Sequence, residues 1–229
     1  MHPANHRADR ERPFSLIWHA ESERVIGALR EDPAPAPATH EAKGRRDVAE
    51  FKAVLSDVHM HARNAGAVFA LDFTALSQSG ANKHYMIELR QTPARLLPFL
   101  TPRLVDVPAD ADPAAIQASV KQLQSLFRRV IVEVPADAQP ARFRSLANVT
   151  LAVRWGAHTA RDVIAFTDRA HQAGLAVMIC GVDEPEALAV AHETEVSFIS
   201  GRMIGEAEKI VPAQYDPPRA EILDRRTAA

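Results

Sequence analysis

A ten-residue stretch of this chain is written twice: Leu104-Val105-Asp106-Val107-Pro108-Ala109-Asp110-Ala111-Asp112-Pro113 returns as Ile131-Val132-Glu133-Val134-Pro135-Ala136-Asp137-Ala138-Gln139-Pro140. Each copy is an apolar strand with one acid at its centre, closed by a proline turn. Between the copies, Ile116, Val120, Leu123 and Phe127 share one face of a helix over Pro113 to Phe127. The alternation then continues: strand-like runs at Val149–Val153, Ala176–Ile179 and Ser197–Ser200 are separated by helical patterns at Thr159 to Ala173 and Pro185 to Glu193. Pro113 and Pro185 suit a first helical turn, where a missing N–H costs little, and Gly174 suits a C-cap. Repeated strand–helix–strand with short connections dictates parallel strands covered by helices. Residues of a barrel strand alternate between interior and helix-facing sides. The repeat therefore predicts Asp106 and Glu133 at equivalent inward positions near the C-terminal rim.

Upstream, Val48, Phe51, Leu55 and Val58 stand at helical spacing in a helix that Gly66 ends. Two strand-like runs follow, Val68 to Phe73 and Tyr85 to Leu89, separated by the turn-rich Ser77-Gln78-Ser79-Gly80-Ala81-Asn82, which reads as a hairpin-like entry. The first 46 residues have another character. Phe14-Ser15-Leu16-Ile17-Trp18 is a short apolar patch, and Val25, Ile26 and Leu29 fit one helix face within Glu21 to Arg30. Asp32-Pro33-Ala34-Pro35-Ala36-Pro37-Ala38 favours polyproline II and reads as a spacer. The patch is either a docking arm or a cap folded back on the domain. The expected division is an extension over 1–46, a βα domain over 47–211 and a tail over 212–229, where Tyr215, Ile222 and Leu223 give a strap something to bury.

The length suits one sizeable core. A net charge of −2 supplies no global field for a nucleic-acid polymer or an anionic membrane. The single cysteine, Cys180, excludes an internal disulfide and a cysteine-based zinc cage, and suits a reducing compartment. No apolar run approaches the ~20 residues that cross a bilayer, and Met1 to Pro13 lacks a signal-peptide core. A cytoplasmic protein without membrane insertion is the expectation. His59 and His61, two apart on a helix, face different ways and make a poor metal site. Cys180 ends a strand with no histidine near in sequence to activate it, and His158 reads as a turn residue. There is no Gly-rich phosphate loop, HExxH or Ser-His-Asp order.

Phe69-Ala70-Leu71-Asp72-Phe73, a turn, and His84-Tyr85-Met86-Ile87-Glu88-Leu89-Arg90 resemble the opening of EAL domains, the cyclic-di-GMP phosphodiesterases and their inactive relatives. In those, a second strand carries Glu-Ala-Leu-Leu-Arg. Leu175-Ala176-Val177-Met178-Ile179-Cys180-Gly181-Val182-Asp183 is similar to the family's strand ending Ala-Glu-Gly-Val-Glu, and Phe198-Ile199-Ser200-Gly201-Arg202-Met203-Ile204-Gly205 to its Gln-Gly-Tyr-Leu-Phe-Gly segment. Val149 to Arg154 falls where the family has Leu-Lys-Ile-Asp. The two Val-Pro-Ala-Asp strands fall where it has Glu-Ile-Thr-Glu and Asp-Asp-Phe-Gly. The resemblance covers Asp47 to Gly205, with Gly181 and Gly201 as anchors. It implies a TIM-barrel-like α/β fold, a parallel βα barrel. Only 12 residues, Gln91 to Pro102, separate Arg90 from Arg103, so the strand with Asn-Leu-Ser has no place. The expected barrel is shortened by one βα unit, to six parallel strands.

The family's chemistry, as the resemblance implies it, uses a cluster of carboxylates and an asparagine to hold divalent ions, with a lysine and further acids activating water. Hard cations need several oxygen ligands at once. Matched by position, the Glu-Ala-Leu glutamate is Met86, the lysine Ala152, its following aspartate Arg154, the glutamate before Gly-Val Cys180 and the glutamine Ser200. Asp106, Glu133 and Asp183 are the acids that remain. The expectation is thus a catalytically inactive EAL-like module, without cofactor or metal, signalling or scaffolding through a protein partner or a homodimer. Two alternatives stay open. In one, Asp106, Glu133, Arg154, Asp183 and Arg202 bind cyclic-di-GMP or another nucleotide at the barrel mouth without hydrolysis, the arginines on phosphates and an acid on a guanine edge. In the other, Asp106, Glu133, Cys180 and Asp183 serve unrelated barrel chemistry.

Overall fold

The computed structural model describes residues 14–30, 39–61, 66–77 and 79–205. They form a closed barrel of eight strands ringed by helices. In chain order the elements are β1 (Phe14–His19), β2 (Arg24–Arg30), α1 (His40–His61), β3 (Gly66–Asp72), α2 (Phe73–Ser77), α3 (Ser79–Arg90), β4 (Leu100–Val105), α4 (Pro113–Gln124), β5 (Val130–Glu133), β6 (Val149–Arg154), α5 (Ala160–Gln172), β7 (Ala176–Cys180), α6 (Pro185–Glu193) and β8 (Phe198–Ser200). β1 runs antiparallel to both neighbours, β2 and β8. The six other strand interfaces are parallel. No helix among the described residues is long and apolar enough to cross a membrane.

Two apolar layers hold the barrel. The outer faces of the strands bury Val25, Phe69, Leu104, Val132, Leu151 and Val177 against the helices, where Phe51, Val120, Phe127 and Phe166 meet them. The strand interiors enclose a smaller cluster of Ile17, Leu29, Val68, Ile131, Ala152, Met178 and Cys180. Local signals agree with this packing. Asp112 caps α4 by accepting from the Ala114 amide, with Pro113 in the first turn. Thr159 and Asp162 form a reciprocal capping box on α5.

Residues 14–30 are barrel wall, not an extension. β1 closes the ring between β2 and β8, and Arg30 on the outer side of β2 pairs with Glu50 at 2.9 Å and Asp57 at 3.2 Å on α1. The helix expected at Glu21 to Arg30 is a strand because both of its faces are buried. Such a strand loses the alternation that betrays an exposed one. The barrel therefore includes residues 14–30, ahead of the expected start at Asp47. The Pro/Ala-rich spacer, the 211/212 boundary and the tail lie outside the described residues.

The strand expected at Tyr85 to Leu89 is part of α3. Alternation would bury Tyr85, Ile87 and Leu89 together, yet Ile87 is 56% exposed while Tyr85, Met86 and Leu89 are buried, the period of a helix. Gly66 opens β3 instead of ending α1. With α2 and α3 as the crossover, the strand that lacked a place is β3. No strand is missing. The economy falls on a helix, since β5 and β6 are joined by loops and a single 3₁₀ turn at Pro140–Phe143.

Candidate functional site at the barrel mouth

Alternation along β4 turns Arg103 into the barrel, where it is completely buried. Its Nη1 donates to Glu133 Oε2 at 2.9 Å and lies 3.9 Å from Cys180 Sγ. The other oxygen of Glu133 accepts from Arg154 Nε at 3.3 Å. One carboxylate at the end of β5 is thus held between two guanidinium groups above an apolar floor. A buried arginine needs such a partner, because an isolated charge in this setting is costly. Burial, foremost, pushes the Cys180 thiol up to about 12, which keeps it protonated and unreactive at neutral pH.

A second cluster sits at the end of β3. Asp72 receives Lys43 Nζ at 2.7 Å, Thr74 Oγ1 at 2.5 Å and the Ala75 amide at 2.9 Å. Lys43 also lies 3.7 Å from Asp106. Burial works to raise the Asp72 carboxyl, but these donors overcome it and hold it below its ordinary value. The hydrogen bond to Asp72 raises Lys43 in turn. Behind them, Asp47 accepts from the Asp72 amide at 2.7 Å, from Tyr85 OH at 2.5 Å and from Arg46 at 2.9 Å. Burial raises Asp47 despite these bonds and, with the Asp47 charge beside it, raises the Tyr85 phenol too. Sequence reasoning missed Lys43, Asp47, Asp72 and Arg103. Arg103 was signalled by a charge inside an apolar strand, and Asp72 by its place at the end of one.

Of the expected site residues, Asp106, Glu133 and Arg154 line one groove of about 430 Å³ at the mouth, together with His158. Asp106 and Glu133 are not equivalent. β4 ends at Val105, and Asp106 turns out of the strand with φ +56°, leaving its side chain 55% exposed, against 16% for Glu133. Asp183 and Arg202 form a separate pair. Asp183 accepts the Arg202 amide at 2.8 Å, and the two side chains lie 3.6 Å apart. His158 Nε2 accepts the Ala136 amide at 3.2 Å. Met86 leaves the site altogether, because it lies on α3. The interior residue that the second barrel strand supplies is Leu29.

This donor set does not fit a divalent metal centre. Among the described residues no group of three or more His, Cys, Asp or Glu side chains is arranged to hold an ion. Glu133 stands between Arg103 and Arg154, Asp72 and Asp106 share Lys43, and the residues beneath are hydrocarbon or sulfur. A hard cation needs oxygen ligands with negative charge to spare.

No protein-family model and no curated protein matches the sequence. Solved structures do match. The Bacillus subtilis YkuI protein, with an EAL domain and in complex with substrate c-di-GMP and calcium, superposes with a TM-score of 0.68 at 12% identity, over 98% of this chain and 62% of that one. This chain thus spans about three-fifths of YkuI. An EAL domain protein from Listeria monocytogenes gives 0.61 at 12% identity, covering 89% of this chain and 91% of that one. The Xanthomonas citri FimX EAL domain, in complex with c-diGMP, gives 0.61 at 10%, covering 89% and 92%. At such identities the likeness is one of architecture, and the chain has the fold of EAL domains.

Proposed function

We propose that this chain is a non-hydrolysing EAL-fold module that acts through contact with a protein partner or a second copy of itself. One observation carries the reading: Glu133 is held between the buried Arg103 and the partly exposed Arg154, which stands at the position matched to the family's aspartate, so two fixed positive charges flank the acid at the mouth. A divalent cation there meets repulsion from both guanidinium groups. Ala152, Cys180 and Ser200, matched to the family's lysine, glutamate and glutamine, remove further groups that activate water or hold phosphate. Protein contact is a role open to such a barrel once turnover is removed, an argument from fold analogy. The test is to incubate the full chain with c-di-GMP and magnesium or manganese and follow the linear dinucleotide by chromatography. None should form above a protein-free control. Metal-dependent multiple turnover would sink the proposal.

A second reading, a receptor that binds c-di-GMP without cleaving it, is favoured by the groove beside Arg154 and by the bound nucleotide in YkuI and FimX. Saturable heat on calorimetric titration with c-di-GMP selects it, and silence to high micromolar ligand removes it. Unrelated barrel chemistry has less support. Cys180 is buried with its thiol raised, and Asp183 is engaged by Arg202 away from the groove.

A further inference from the structure

A cavity of about 690 Å³ opens at the opposite, N-terminal end of the barrel. The chain leaves it hollow for a reason visible in the sequence. β2 and β3 meet there at Gly27 and Gly66, so closely that a Cβ on Gly27 would lie 2.5 Å from the Gly66 carbonyl oxygen. With no side chains at this crossing, none of the described residues fills the space beside it. Ile17, Val68, Phe99 and Phe198 supply apolar walls. The rings of His19 and Phe198 pack at 5.0 Å with a 32° tilt, giving an aromatic pair in the wall. His19 Nδ1 is engaged with Ser22 Oγ at 2.7 Å, which fixes the ring and leaves Nε2 as its remaining polar atom.

The rim of this cavity is cationic. Arg128 and Arg129, consecutive residues ahead of β5, line it and are exposed, and neither is paired with a carboxylate of the described residues. Elsewhere in the molecule the arginines near the barrel wall are matched: Arg30 by Glu50 and Asp57, Arg103 and Arg154 by Glu133. A solvated arginine pair on a bare surface would need no explanation. A pair at the lip of an apolar, aromatic hollow has the composition of a small-molecule site, in the range of ~300–1,000 Å³ usual for one.

We propose that this cavity binds a small aromatic anion, its ring against the His19–Phe198 pair and its phosphate, sulfonate or carboxylate on Arg128 and Arg129. The wall includes Ile17 and His19 of β1 and Phe198 of β8, where His19 pairs with Phe198 across the seam that closes the barrel. A ligand here stabilises the closed ring by mass action. The C-terminal mouth is the usual place for barrel chemistry, so this site modulates the fold and takes no part in turnover. It stands independently of the reading of the mouth, since none of its residues belongs to that site.

The probe is 8-anilino-1-naphthalenesulfonate, an aromatic body with one anionic group, titrated into the full-length folded chain by fluorescence and calorimetry. Saturable binding at one site per chain, with a rise in Tm, is expected. The exposed double substitution Arg128→Ser/Arg129→Ser should weaken it about tenfold or more, the loss of two charge-assisted contacts, while the Tm without probe stays unchanged. Absence of saturable binding, or equal affinity in the double variant, overturns the proposal.

Discussion

Arg103 is the residue on which the interior depends. Glu133→Ala leaves its guanidinium buried beside a thiol and apolar walls, and removal of one partner of a buried pair costs about 3–5 kcal/mol. Arg103→Met with Glu133→Leu should return most of that stability, because hydrocarbon replaces both charges. Urea denaturation of the three proteins measures it, and a double variant no more stable than Glu133→Ala would contradict it. The Lys43–Asp72 pair sets a pH signature. The Asp72 carboxyl is held below 3.8, so its contribution is present above that pH and fades as pH falls through the depressed native value. Lys43 is raised above 10.5, so its contribution is present below that pH and fades as pH rises through the native value. The stability gap between wild type and Lys43→Met should be flat between those limits and narrow outside them. Cys180 should resist iodoacetamide at pH 8 until the chain is unfolded. The sequence put Glu133 and Arg154 together as candidates at the barrel mouth, and the two do meet. It could not show Arg103 as the second partner, because that contact depends on which face of β4 turns inward. One misjudged position in a strand exchanges the two faces.

At the scale of elements, β1 and β2 decide whether the ring closes. A chain lacking residues 1–30 loses both strands and exposes the edges of β3 and β8. It should show no cooperative thermal transition. A sharp transition near that of the full chain would mean these strands are dispensable. Gly201 holds the turn after β8. Its φ is +153°, and a Cβ there would lie 2.4 Å from the Val182 backbone, so Gly201→Ala should cost about 2–3 kcal/mol. From β4 onward the elements were legible, because proline-started helices alternate with apolar strands. The N-terminal half was not. Both faces of β2 are buried, so its apolar spacing imitates a helix, and the short strand-like text of α3 hides a helical period that Ile87 reveals only once its exposure is known. The expected loss of a βα unit followed from these two exchanges.

Taken whole, the molecule keeps the barrel of EAL domains and fills its centre with an ion pair and hydrocarbon. Manganese is the direct probe of that centre, because the free ion gives an electron paramagnetic resonance signal that bound ion removes. Titration of the full chain should leave the free-ion signal undiminished at stoichiometric protein. Depletion by one or two ions per chain, lost on Glu133→Gln, would contradict the account.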